Sequence, residues 1–134
     1  MMLMTGTMSH ARVTYVRLLW EEGISHKEYV FRYDDDGIAR MYDESRYERQ
    51  VKPCVPASDT FIKDLEELIE KGDVFSYAPK YEPEEMLRGG YEWALSVETD
   101  DGRSVYSTGH SVEPPGSIVR GLELLMWSYI SKAQ

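Results

Sequence analysis

Residues 91–99 have the sequence Tyr-Glu-Trp-Ala-Leu-Ser-Val-Glu-Thr, in which large apolar and polar side chains alternate. Successive side chains of a β-strand point to opposite faces of its sheet, so this segment is typical of a strand with one buried and one solvated face. The inward face would carry Tyr91, Trp93, Leu95, Val97 and Thr99. Asp100-Asp101-Gly102 then supplies turn residues, which predicts a hairpin into a second strand at residues 103–109.

The N-terminal part of the chain predicts three more strands. Residues 12–20 are rich in β-branched and aromatic side chains, and residues 27–33 alternate in the same way as residues 91–99. The run Asp34-Asp35-Asp36-Gly37 favours a solvated hairpin turn into a strand at residues 38–42. A weaker candidate strand lies at residues 47–51. The predicted sheet therefore has about five strands.

Two helices are predicted from apolar residues at helical spacing. Ser58 or Asp59 would cap the first helix, its apolar positions would be Phe61, Ile62, Leu65, Leu68 and Ile69, and Gly72 would end it. The second helix follows Pro114-Pro115 and spans about residues 118–131. Leu124 and Trp127 widen its apolar surface, which predicts either deep burial or contact with a partner, including a homodimer through this C-terminal helix.

These elements predict an α+β fold in which two helices pack on one face of an antiparallel sheet. Each predicted helix follows a hairpin, so a duplicated hairpin-plus-helix unit is an alternative to independent elements that only look alike. A chain of 134 residues fits one domain. We assign residues 12–134 to that domain and residues 1–11, which are rich in Met and Thr, to a disordered leader.

The layout from about residue 29 to residue 129 resembles a group of small uncharacterised bacterial proteins of the kind found in gut bacteria. The residues that carry this resemblance are the helix at 61–69 with Val74, Gly90-Tyr91-Glu92-Trp93-Ala94-Leu95, Asp101-Gly102, Gly109 and Pro114-Pro115. The resemblance covers about three quarters of the chain. It implies a fold and a bacterial or phage source, and it transfers no catalytic residue.

The net charge of −9 arises within residues 59–101, which hold thirteen acidic against four basic residues, while the rest of the chain balances at eleven against eleven. This concentration predicts an acidic face that attracts basic partners and repels nucleic acid. Irregular segments rich in tyrosine are typical of binding surfaces. The predicted contacts are Tyr77, Tyr81, Glu82, Glu84 and Glu85 in the connection at residues 73–90, and Glu66, Glu67 and Glu70 on the first helix.

No residue pattern identifies a reaction, a metal site or a cofactor. Phosphate-loop and nucleophile-elbow spacings are absent, and the histidines lack the spacing of a metal pair. The sequence therefore predicts a non-enzymatic module that binds a protein with a basic surface. One alternative is an acidic DNA mimic that inhibits a nucleic-acid-binding enzyme, as phage anti-defence proteins do. Another is a small hydrolase centred on His110, with Glu98 across the hairpin and hydroxyl residues nearby.

The sequence also predicts a cytoplasmic protein. The single cysteine, Cys54, cannot form an intramolecular disulfide, and the first ten residues lack the apolar run of a signal peptide. The longest apolar-rich segment, residues 118–130, is too short to cross a bilayer and contains charged residues. No membrane association is expected.

Overall fold

A computed structural model describes residues 11–45, 54–83 and 90–132. Within these residues the chain forms a seven-stranded sheet, two α-helices and one 3-10 turn at Val74–Ser76. The strands are β1 Val13–Glu22, β2 Ser25–Tyr33, β3 Ala39–Asp43, β4 Cys54–Pro56, β5 Lys80–Tyr81, β6 Tyr91–Thr99 and β7 Ser104–His110; the helices are α1 Asp59–Lys71 and α2 Ile118–Lys132.

The strand order is β4-β3-β2-β1-β6-β7-β5, and every neighbouring pair is antiparallel except β5 and β7, which are parallel. The predicted α+β class is confirmed. The predicted number of about five strands is too low, because β4 and β5 contain only three and two residues and are too short to show an alternating pattern. The candidate strand at residues 47–51 lies outside the described residues.

The inward face of the sheet forms the core. In β6, Trp93, Leu95 and Val97 are at most 1% exposed, as the alternation of residues 91–99 predicts. They lie beside inward residues of β1 and β2 such as Leu18 and Phe31. Both helices bury one stripe against this same cluster, namely Phe61, Leu65 and Ile69 of α1 and Val119, Leu122, Met126 and Ile130 of α2. The two helices therefore cover one face of the sheet.

The ends of α1 are set by different physical causes. Ser58 Oγ accepts a hydrogen bond of 3.1 Å from the backbone N–H of Phe61, which confirms the predicted cap. Gly72, in contrast, has a right-handed backbone with φ −83°, and the left-handed residue is Asp73 with φ 50°. A Cβ at position 72 would lie 2.3 Å from Cγ1 of Ile118. Glycine is thus required at position 72 by the close approach of α2.

Helix α2 crosses the sheet from β1 toward β4. Near its start, the Arg120 guanidinium lies 3.7 Å from the centre of the Trp20 ring in β1. Near its end, the Tyr129 hydroxyl donates a 2.8 Å hydrogen bond to the carbonyl of Pro56 in β4. Each helix follows a hairpin along the chain, β2–β3 before α1 and β6–β7 before α2; duplication of that unit stays a prediction. No helix in the described part of the chain is long and apolar enough to cross a membrane.

Candidate functional site

A concave region of 380 Å³ lies between the flank of α1, the start of β1 and the β6–β7 turn. We call it the acidic groove, because four of its lining residues are acidic and two are basic. The acidic residues are Glu66, Glu67, Glu70 and Asp73; the basic residues are Lys63 and Arg103; the others are Ala11, Val13, Ile69, Phe75 and Thr99. It combines a net negative charge with apolar side chains.

Glu66 joins α1 to the sheet. Its carboxylate Oε2 accepts a 2.9 Å hydrogen bond from the backbone N–H of Val13, the first residue of β1. This bond satisfies a partly buried donor, and an unsatisfied buried donor costs about 1–3 kcal/mol. Glu66, one of the predicted contacts, therefore has a structural role inside the groove.

Glu67, Glu70 and Asp73 are the exposed acids of the groove, and Glu67 and Glu70 both belong to α1. Residues three positions apart on a helix are neighbours on its surface, so both side chains lie on the same flank of α1. The half-buried ring of Phe75 adds apolar lining beside them. This arrangement can accommodate a cationic group on a hydrocarbon stem.

Arg103 is held in place on the opposite wall. Its Nε donates a 3.2 Å hydrogen bond to Asp101 Oδ2, and its guanidinium lies 4.7 Å from the centre of the Phe75 ring. The pKa of Asp101 is lowered mainly by a hydrogen bond from the Thr99 hydroxyl, and further by the N–H groups of Arg103. Arg103 is therefore directed toward Asp101 at the turn.

The predicted tyrosine contacts lie elsewhere and serve the core. Tyr77 donates a 2.9 Å hydrogen bond to the carbonyl of Pro115, and burial raises the pKa of its hydroxyl. The Tyr81 hydroxyl accepts a 2.9 Å hydrogen bond from the N–H of Ala78, and its ring centre lies 5.9 Å from that of Trp93. Both rings are half-buried against the core. The structure does not bring them together with the glutamates of α1.

The remaining predicted contacts also lie apart from the groove. Glu82 is exposed and pairs with Lys80 at 3.0 Å. Glu84 and Glu85 lie outside the described residues. Of the predicted contacts that the structure describes, Glu66, Glu67 and Glu70 share the acidic groove, whereas Tyr77 and Tyr81 form a separate pair with ring centres 6.4 Å apart.

The acidic residues at positions 59–101 do not form the single face that their position in the sequence suggests. The acids of α1 lie on the helical side of the molecule, whereas Glu92 and Glu98 point to the opposite side of the sheet. Asp100 lies at the β6–β7 turn, where its Oδ1 accepts a 2.9 Å hydrogen bond from the N–H of Arg12. Because side chains alternate between the two faces of the sheet along β6, the carboxylates of Glu92 and Glu98 are separated from the acids of α1.

His110 has a different acidic neighbour from the one predicted. Glu92 lies across the hairpin from it, with Oε1 3.0 Å from His110 Nδ1, whereas Glu98 pairs with Ser104. The Ser107 hydroxyl points into the core and donates a 2.6 Å hydrogen bond to the carbonyl of Ala78. A hydrolase needs an activated nucleophile beside its base. Ser107, the nearest serine before His110 in the strand, is not available for that role.

Sequence reasoning missed the sheet side of the acidic groove. Val13, Thr99 and Arg103 line it because β1 pairs with β6 and the β6–β7 turn lies next to the end of α1. Such proximity depends on strand order, which alternation within one strand does not reveal. The only local signal was the basic residue directly after the Asp100-Asp101-Gly102 turn.

The side of the sheet away from the helices, which we call the open face, carries two ion-pair networks that were also missed. The Glu28 carboxylate accepts a 2.7 Å hydrogen bond from Arg17 Nε, and its other oxygen lies 2.9 Å from His26 Nε2. Burial alone would raise the pKa of Glu28, but these bonds outweigh burial and lower it. In the second network, Asp34 Oδ2 accepts a 2.5 Å hydrogen bond from the Tyr42 hydroxyl. That bond, with those from Arg32 and Arg40, lowers the pKa of Asp34 far below its usual range.

No group of three or more His, Cys, Asp and Glu side chains in the described part of the chain is placed to hold a metal ion. No family model matches the chain, and a search of the curated proteins finds no match. Function is therefore argued from the chemistry of the groove.

Proposed function

We propose that this protein is a non-enzymatic interaction module whose acidic groove binds a basic segment of a partner protein in the cytoplasm. The observation that supports the proposal is the placement of two exposed carboxylates, Glu67 and Glu70, beside the half-buried ring of Phe75 in one 380 Å³ groove.

Lysine and arginine match this combination of surfaces. Their aliphatic stems pack on apolar side chains while the charged head reaches an acceptor, and arginine can also bind a carboxylate through two parallel hydrogen bonds. An exposed ion pair alone contributes only about 0–1 kcal/mol. The apolar lining therefore supplies the part of the binding energy that does not depend on salt, and the glutamates supply the preference for a cation.

A short arginine-rich peptide with a fluorescent label tests the proposal. We expect binding that weakens as salt rises from about 50 mM to about 300 mM, because exposed charges are screened over that range. Glu67→Gln combined with Glu70→Gln should weaken binding by about tenfold, as expected for the loss of two charged contacts.

The matched control is Asp59→Asn combined with Asp64→Asn. These residues carry the same charge on the same helix but do not line the groove. We expect this control pair to change binding by less than about twofold. Equal losses in the two double variants, or no binding of the peptide by the unaltered protein, would show that the groove is not the binding site.

The two alternative functions can be checked with the same variants. A DNA mimic would lose its partner when duplex DNA is added, but Glu92 and Glu98 lie on the open face, away from the acids of α1. A hydrolase centred on His110 would lose activity in His110→Ala. No contact described above favours either function over the groove.

A further inference from the structure

A second candidate surface lies on α2. Leu124 and Trp127 are 62% and 50% exposed, and they are neighbours on the helix because they are three positions apart. A cavity of 220 Å³ lies directly beside them. We call this surface the α2 groove, and its lining residues are Lys27 and Tyr29 of β2 with Arg120, Glu123, Leu124 and Trp127 of α2.

The α2 groove contains complementary features within one chain. The depression is open to solvent, and its volume of 220 Å³ exceeds the roughly 150 Å³ of a closed cavity that holds a benzene ring, so an aromatic side chain can enter it from outside. Trp127 is an exposed aromatic side chain at the rim of that cavity. Lys27 is an exposed cation on one wall, and Glu123, whose Oε1 lies 3.5 Å from Nη1 of Arg120 in the same helix, is an anion on the other. Each copy of the chain therefore offers both a ring and a cavity, and both signs of charge.

This self-complementarity is what a two-fold interface requires. In such an interface the same patch is used by both subunits, so that residue i of one copy contacts residue j of the other and the reverse. A surface with two cations and one anion has little charge of its own. The patch itself therefore contributes little repulsion between two copies.

We propose that a second copy of this chain occupies the α2 groove in a symmetric dimer. Trp127 of each copy inserts into the cavity of the other beside Tyr29, and Lys27 of each copy faces Glu123 of the other. Buried tryptophans are frequent energetic centres of interfaces. The acidic groove remains outside this contact, so dimer formation is independent of the proposed binding of a basic segment.

Sedimentation equilibrium from about 1 µM to about 500 µM tests the dimer, a range that spans ordinary dissociation constants. We expect the mass to rise from 15.5 kDa toward twice that value. Trp127→Glu should raise the dissociation constant at least about thirtyfold, since removal of such an anchor typically has this effect. Because Trp127 is half exposed, the variant should keep its thermal unfolding temperature when measured as a monomer.

A charge swap tests the pairing itself. Lys27→Glu and Glu123→Lys should each weaken the dimer, and the double variant should restore it to within about threefold of the unaltered protein. Tyr106→Glu, on the open face, is the exposed aromatic control and should have no effect. A monomer at the highest concentration, a dimer that persists in Trp127→Glu, or a double variant weaker than both single variants would each overturn the proposal. If the protein is a monomer at the highest concentration, the occupant of the α2 groove would have to be a different protein.

Discussion

The two faces of the sheet come from the same strands but are stabilised in different ways. Under the helices, Val16, Leu18, Phe31 and Leu95 are at most 1% exposed and pack as one apolar cluster. On the open face, Arg17 of β1 pairs with Ser96 of β6, and Ser96 pairs in turn with Tyr106 of β7. Tyr106 is 60% exposed. The covered face therefore depends on packing, and the open face on charge networks, so the two should respond differently to pH.

The largest expected effect is on the covered face. Leu65→Ala in α1 or Leu122→Ala in α2 should lower the free energy of unfolding by about 3 kcal/mol, because each side chain is fully buried and its removal leaves a cavity. Urea unfolding at low protein concentration measures this loss. It should be the same at about pH 5 and about pH 8, since the lost contacts carry no charge.

Leu124→Ala is the matched control for these substitutions. Its side chain is 62% exposed on the same helix as Leu122, so the monomer should lose less than about 0.5 kcal/mol. An equal loss at positions 122 and 124 would contradict the division between buried and exposed stripes of α2.

A smaller effect is expected where the two helices meet. Gly72→Ala should cost about 1–3 kcal/mol, because the added Cβ would lie 2.3 Å from Ile118. The backbone at position 72 is right-handed, so no conformational strain is involved. In an Ile118→Gly background, which removes the Cβ as well as both Cγ atoms that the new methyl group would meet, the loss should shrink or change sign. If the loss is unchanged in that background, the close contact is not its cause.

The comparison of the two faces also shows what the sequence could predict. Alternation within residues 91–99 identified the inward set correctly, because a strand's period is a local property. The cap at Ser58 was correct for the same reason. The end of α1 at Gly72 was also predicted correctly, but the close approach of Ile118 from another helix could not be predicted from local sequence. The wall formed by Arg103 was missed likewise, because it reaches α1 only through sheet pairing.

The charge on the open face gives the smallest effect and the clearest difference in pH dependence. Asp34 binds Tyr42, Arg32 and Arg40, and these bonds hold the pKa of its carboxyl below the unfolded value of about 3.9. A lowered folded-state pKa adds stability that is fully present above the unfolded pKa and is lost as the pH falls below it. Asp34→Asn should therefore destabilise the protein at neutral pH.

The difference in free energy of unfolding between Asp34→Asn and the unaltered protein should then become smaller as the pH falls from about 5 to about 3. The loss of unfolding free energy in Leu65→Ala should stay the same over that range. Urea unfolding at several pH values measures both. Asp35→Asn, which removes the same charge from the exposed neighbouring residue, is the matched control. If the difference in free energy of unfolding for Asp34→Asn stays constant down to about pH 3, the network on the open face acts through packing rather than charge. The two faces would then not differ in the way proposed.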